Sequence, residues 1–164
     1  MRYNRRFTWL MMVFLLGVAH LLPASAKGTL TQGGASLGTV EFPSSCTAEA
    51  QKTVVHGVAL LHSFQYQQVE QAFTQAAGQD PHCAIAWWGK AMGLYHQLWD
   101  FPSEATLRAG WKDVQQAEKI GGQTDRERAY IGAAAAFYQN NAKLSHLQRR
   151  QAYAQAMAQL HSNF

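Results

Sequence analysis

Residues 53–81 read TVVHGVALLHSFQYQQVEQAFTQAAGQDP, and two helical periods are visible in them. Gly57 and Leu60 precede a polar break at Ser63, and Val69, Phe73 and Ala76 follow it, all at three- and four-residue spacing. That spacing puts each set on one face of a helix. A small residue at 57 lets the second helix approach the first, and Phe73 with Ala76 fills the seam between them. Pro81 then ends the hairpin where the next element begins.

Outward from this hairpin the chain carries helix signals at close intervals. Thr47 caps a helix running to about Ser63, a second spans about Gln67 to Gly78, and Asp80 with Pro81 in its first turn opens a third to about Leu98. Ser103, after Pro102, starts a helix that stops at Gly121-Gly122. Thr124-Asp125-Arg126-Glu127 and Ser145-His146-Leu147-Gln148 are capping boxes for two more. No segment alternates like a strand and no hairpin dipeptide occurs, so the fold is predicted all-α.

The spacing then repeats. Trp87 lies 34 residues after Thr53 and Ala91 lies 34 after Gly57, while Gly110, Val114, Ala117 and Gly122 reproduce the intervals of Val69, Phe73, Ala76 and Pro81. A third unit has Ile131 and Gly132 in its first helix and Tyr153 and Ala156 in its second, with Ala133 to Ala136 where larger residues are expected.

In Gly57, Phe73, Ala76 and Pro81 the first unit resembles the tetratricopeptide (TPR) repeat, with Leu60 and Val69 as size-conserving replacements for its usual Tyr and Ala. The resemblance covers residues 47 to 164, in units of about 47–81, 82–122 and 123–164. Phe42-Pro43-Ser44-Ser45-Cys46, Leu61-His62-Ser63-Phe64 and Trp88-Gly89-Lys90-Ala91-Met92 with Tyr95-His96 are similar to segments of exported bacterial TPR-containing proteins. It implies a right-handed α-solenoid of about three helical hairpins. The chain ends at His161-Ser162-Asn163-Phe164 without a capping residue, so the array is expected to be incomplete.

The resemblance also implies a concave binding face, which by spacing comprises Val54, Val58, Leu61 and His62 in the first unit and Trp88, Met92, Tyr95 and His96 in the second. Apart from the histidines this set carries no formal charge. Relatives that clamp a peptide carboxylate use Lys, Arg and Asn there, so acidic C-terminal tails are disfavoured as ligands. A peptide, a protein segment or an apolar ligand bearing aromatic groups fits better. A further helix filling this face is the competing expectation.

At the other end, Arg2, Arg5 and Arg6 precede an apolar run from Phe7 to Leu22 and the small-residue site Ala24-Ser25-Ala26. This reads as a secretory signal peptide, residues 1–26, because the run is too short for a membrane span of about 20 residues. The expected location is the periplasm or the outside of the cell, with no stable membrane span after cleavage. Arg5-Arg6 raises a twin-arginine signal, but Phe7 and the strongly apolar core favour the general secretory route. No cysteine sits at the cleavage site, which disfavours a lipoprotein anchor. Removing three arginines and no acid lowers the formal charge from +4 to +1, eleven Lys and Arg against ten Asp and Glu. Nucleic acid thereby loses its electrostatic support as a partner. Residues 27–45, rich in Gly, Ser and Thr, read as a flexible linker.

Cys46 and Cys83 remain after processing. An oxidising compartment favours a bridge, yet helices packed about 8 to 10 Å apart hold Cα atoms too far for one. Cys46 would have to fold inward, and two separately buried thiols are the open alternative. His62 and His96, one repeat apart, could share a metal across facing helices. Two ligands do not make a site, however, no Cys or carboxylate falls at matching spacing, and hydrogen bonding to helix-end carbonyls is the favoured reading of both. This leaves a metal- or cofactor-binding protein, as part of a larger enzyme, as the alternative function. No catalytic motif is present to name a catalytic residue, and no cofactor is otherwise indicated. Trp87, Trp88, Tyr95, Trp99 and Phe101 crowd within 15 residues, and of the two faces they define one must be core.

Overall fold

The computed structural model describes residues 37–96 and 100–164. The signal peptide, residues 27–36 and Trp99 lie outside the described residues. Six α-helices follow in order: α1 Ala48–His62, α2 Tyr66–Gln79, α3 Ala84–Gly93, α4 Glu104–Ile120, α5 Asp125–Tyr138 and α6 His146–Asn163. Among the described residues there is no strand, as the all-α expectation requires. Each helix packs on the next in the chain, and α1, α3 and α5 also touch in succession.

The caps sit where the sequence signals them. Thr47 and Ser103 accept from the N–H groups of Ala50 and Thr106, and both capping boxes close reciprocally, at Thr124 with Glu127 and at Ser145 with Gln148. Helix α3 is shorter than the span from Asp80 to Leu98 that the sequence suggests. At its start the Asp80 carboxylate accepts from the N–H of Thr47 at 2.8 Å and of His82 at 3.0 Å, and the Cys83 N–H donates to the Asp80 carbonyl. These bonds hold residues 80–83 in a turn, so Cys83 rather than Asp80 becomes the N-cap. At its end Leu94 and Tyr95 bond to carbonyls only three residues back, and His96 leaves with φ of 46°.

The core is built on two aromatic wedges. Phe73, fully buried, lies against Gly57 of α1 and Gly89 of α3, and a methyl group added at either glycine would overlap its ring. This is the close approach anticipated at Gly57, shared with a second glycine one helix away. Tyr138 repeats the arrangement over Gly110, and its hydroxyl donates to the Ala91 carbonyl at 2.7 Å. A buried hydroxyl with a partner avoids the desolvation penalty it would otherwise carry.

Residues 37–46, read as the end of a linker, have no helix but lie on the helices as a strap. Phe42 is buried, and Leu37 and Val40 pack partly against the core. The strap ends in a disulfide between Cys46 and Cys83, with Cα atoms 4.8 Å apart. The chain does fold inward ahead of α1, and the turn at Asp80 brings Cys83 to meet it. Glu127, 3 % exposed, ties the same end to α5: its carboxylate accepts from the Ser45 N–H at 2.6 Å and from the Ser45 hydroxyl at 2.9 Å, besides the N–H groups of Gln123 and Thr124.

Candidate binding site

The eight residues expected to line one face divide by depth. Val54, Val58, Trp88, Met92 and Tyr95 are buried, Leu61 and His96 are half-buried, and His62 is exposed. Trp88 is enclosed by rings: Phe42 stacks on it at 5.5 Å with planes 10° apart, and Tyr130 and Phe73 meet it edge-on at 5.3 and 6.1 Å. Tyr95 packs against Phe137 at 3.9 Å and Tyr153 at 5.1 Å. The other face of α3 is covered differently, for the Lys90 ammonium lies 4.2 Å from the Trp87 ring and pairs with Asp113 at 3.2 Å.

Beside Trp88 a cavity of about 330 Å³ opens. Val58, Leu61 and His62 of α1 and Trp88 and Met92 of α3 form one side of it, so five of the eight expected residues come together. Val54, Tyr95 and His96 do not line it. Phe42 of the strap, Tyr130 of α5 and Tyr153 with Met157 of α6 complete the wall, and Phe64 and Tyr66 stand at the α1–α2 turn. Sequence spacing missed these. Phe42 stood in a Gly- and Ser-rich stretch that hides its burial, and Tyr130 and Tyr153 belong to the unit whose repeat pattern is most degenerate. The signal available for Tyr130 and Tyr153 was their aromatic character at a helical spacing from a core residue; Phe42, outside any helix, carried none.

No carboxylate is among the residues that line the cavity. The Arg126 guanidinium lies 5.0 Å from the Phe42 ring and 5.2 Å from that of Tyr130, and donates to the Pro43 carbonyl at 3.3 Å. Burial, then the neighbouring Tyr95 and Tyr130, pushes the Tyr153 hydroxyl above its ordinary range, so it stays a neutral donor. The site is therefore apolar and aromatic, with His62 and Arg126 as its polar neighbours.

No protein-family model matches the chain, and no curated protein or solved structure matches it. The chemistry must be read from the residues themselves. His62 faces the cavity, whereas His96 stacks on Tyr66 at 4.7 Å and lies outside the lining. Among the described residues no group of three or more His, Cys, Asp or Glu is placed to hold a metal ion, and no helix is long and apolar enough to cross a membrane.

Proposed function

We propose that this chain is an exported binding module of TPR-like helical hairpins, whose cavity beside Trp88 receives an apolar partner bearing an aromatic group. The observation that carries the reading is the cavity's wall: Trp88, Tyr130, Tyr153 and Phe42 around about 330 Å³, with no acid. Pockets of roughly 300 to 1,000 Å³ lined by aromatic side chains and a few polar groups are the usual form of a ligand site. The succession of α1, α3 and α5 along one side supports a solenoid order of hairpins, and the Cys46–Cys83 disulfide supports an oxidising destination.

Trp88→Ala is a poor probe of this reading, because Trp88 is only 5 % exposed and its loss would disturb folding as well as binding. Leu61→Arg and Met157→Trp act on half-buried wall residues instead. Titration with the uncharged fluorophore N-phenyl-1-naphthylamine should give saturable binding to the native chain. Either variant should weaken it by about 2 kcal/mol, roughly thirtyfold, with unchanged melting. Equal binding by native and variant chains would remove the cavity from consideration. Export is tested by mass: protein from the envelope fraction should lack residues 1–26, and a species retaining Met1 would contradict it.

A further inference from the structure

The strap already shows how this groove takes an aromatic side chain. Phe42 enters as one residue of a non-helical segment, stacks on Trp88, meets Tyr130 at 5.1 Å and lies under the Arg126 guanidinium. Its ring is also part of the cavity wall, so its seat and the open space beside it are continuous. Nothing in the main chain locks it there. Among the described residues, no backbone-to-backbone hydrogen bond involves residues 37–46. Strap atoms are held instead by side chains, with Gln51 donating to the Phe42 carbonyl at 2.8 Å and accepting from the Ser44 N–H at 3.0 Å, and Arg126 reaching Pro43. Firm attachment begins only at Ser45 on Glu127 and at the Cys46–Cys83 disulfide. Opening such a segment costs the burial of Phe42 and these few side-chain contacts but no main-chain ladder, and its anchored end stays in place.

Charge agrees with this arrangement. Arg126 forms no ion pair with any described carboxylate and His62 faces the cavity, while the wall itself contains no acid. Beside Phe42 in the strap stands Glu41, exposed. Glu41 makes no ion pair with Arg126 in the seated strap, so that guanidinium is left for the carboxylate of an incoming segment whose aromatic residue has an acidic neighbour, and it disfavours a basic one.

We propose that the partner is a non-helical peptide segment presenting an aromatic side chain next to an acidic one, and that Leu37–Ser44 is its built-in competitor, occupying the same seat until displaced. The inference rests on the cavity reading above. Tethering at Cys46 keeps the strap at high effective concentration, and a free peptide binds only the fraction of molecules whose seat is open. The strap thereby sets a threshold for binding.

The test uses the full chain and a capped peptide copying residues 37–44, Leu-Gly-Thr-Val-Glu-Phe-Pro-Ser. The variant Phe42→Ala should bind this peptide at least about tenfold more tightly than the native chain, because the competitor has lost its ring. Copies of the peptide carrying Phe→Ala or Glu→Lys at the corresponding positions should bind more weakly to the same variant. Independently of that variant's stability, 4-fluorophenylalanine at position 42 of the otherwise native chain should shift its fluorine resonance as the peptide saturates. If the uncharged fluorophore binds but the peptide binds neither chain, the inference fails and the cavity reading stands. If neither ligand binds, both fail. Equal peptide affinity for the two chains, or a fluorine resonance unmoved by bound peptide, overturns the competitor role.

Discussion

Helices α2 and α6 are each the second helix of a hairpin, yet they are held in opposite ways. Helix α2 lies between α1 and α3 and buries Val69, Ala72, Phe73 and Ala76. The backbone of α6 packs on α5 alone, and its buried residues are Arg149 and Leu160. In one the helix is fixed by a ring wedged into glycine-lined neighbours. In the other, the helix is held by a capping box, its packing on α5 and the edge-on contact of Tyr153 with Tyr95. A helix flanked on both sides by other helices has a spacing imposed on its sequence, and one packed on a single helix does not.

The sharpest way to break this contrast is to remove each helix's largest buried apolar side chain. Phe73→Ala leaves a ring-sized void between Gly57 and Gly89 and should destabilise the chain by about 3 to 5 kcal/mol, whereas Leu160→Ala should cost about 2 kcal/mol. Chemical denaturation of the two variants measures the difference. Equal losses would mean that α6 is as deeply integrated as α2.

That asymmetry also explains what could be read in advance. The first hairpin was legible because Gly57, Phe73 and Pro81 each have one geometric task, and the capping boxes at Thr124 and Ser145 were legible because their hydrogen bonds are local. Within the cavity, Val58, Leu61, His62, Trp88 and Met92 followed from repeat spacing. The burial of Val54 and Tyr95 did not, since spacing assigns a face to a residue without saying what covers that face. Phe42 and Glu127 were beyond its reach for a related reason. The strap crosses the repeats, and the Glu127 carboxylate that caps α5 also receives Ser45 from 82 residues earlier in the chain. No local pattern encodes such a contact. The same holds for Cys46 and Cys83, whose pairing depends on a turn at Asp80 that periodicity would have continued as helix.

The disulfide sharpens the comparison at the strap end. Cys46 and Cys83 are 37 positions apart, and closing a loop of that length lowers unfolded-chain entropy enough to stabilise the fold by about 2 to 4 kcal/mol. Reduction under native conditions should lower the unfolding free energy by that amount and increase amide exchange first around α1 and the turn at Asp80, leaving the Ser145 capping box unaffected. Thiol counting on denatured, unreduced protein should find none. Two free thiols in protein taken from an oxidising compartment would reject the bridge.

The smallest effect is expected at the other end, and it depends on pH. His146 opens α6 with its ring against Phe101 at 4.2 Å and Phe137 at 6.0 Å, and its Nδ1 is buried with no hydrogen-bond partner among the described residues. Burial first, then the charges of Arg149 and Arg150, hold its pKa below the ordinary imidazole value of 6.5. The first turn of α6 contains no acid to offset them, and a positive charge there also opposes the helix dipole. Because the folded form binds a proton less readily than the unfolded chain, the contribution of this residue is fully present above pH 6.5 and is lost as the pH falls through its depressed folded value. The native chain should therefore lose stability on acidification in a window below that point, and His146→Gln should remove part of the loss. Subtracting the two profiles, each obtained from denaturation midpoints between neutral and mildly acidic pH, isolates this histidine from the other six. A difference that does not change with pH would show that α6 begins no less securely when His146 is protonated, and the contrast with α2 would then rest on packing alone.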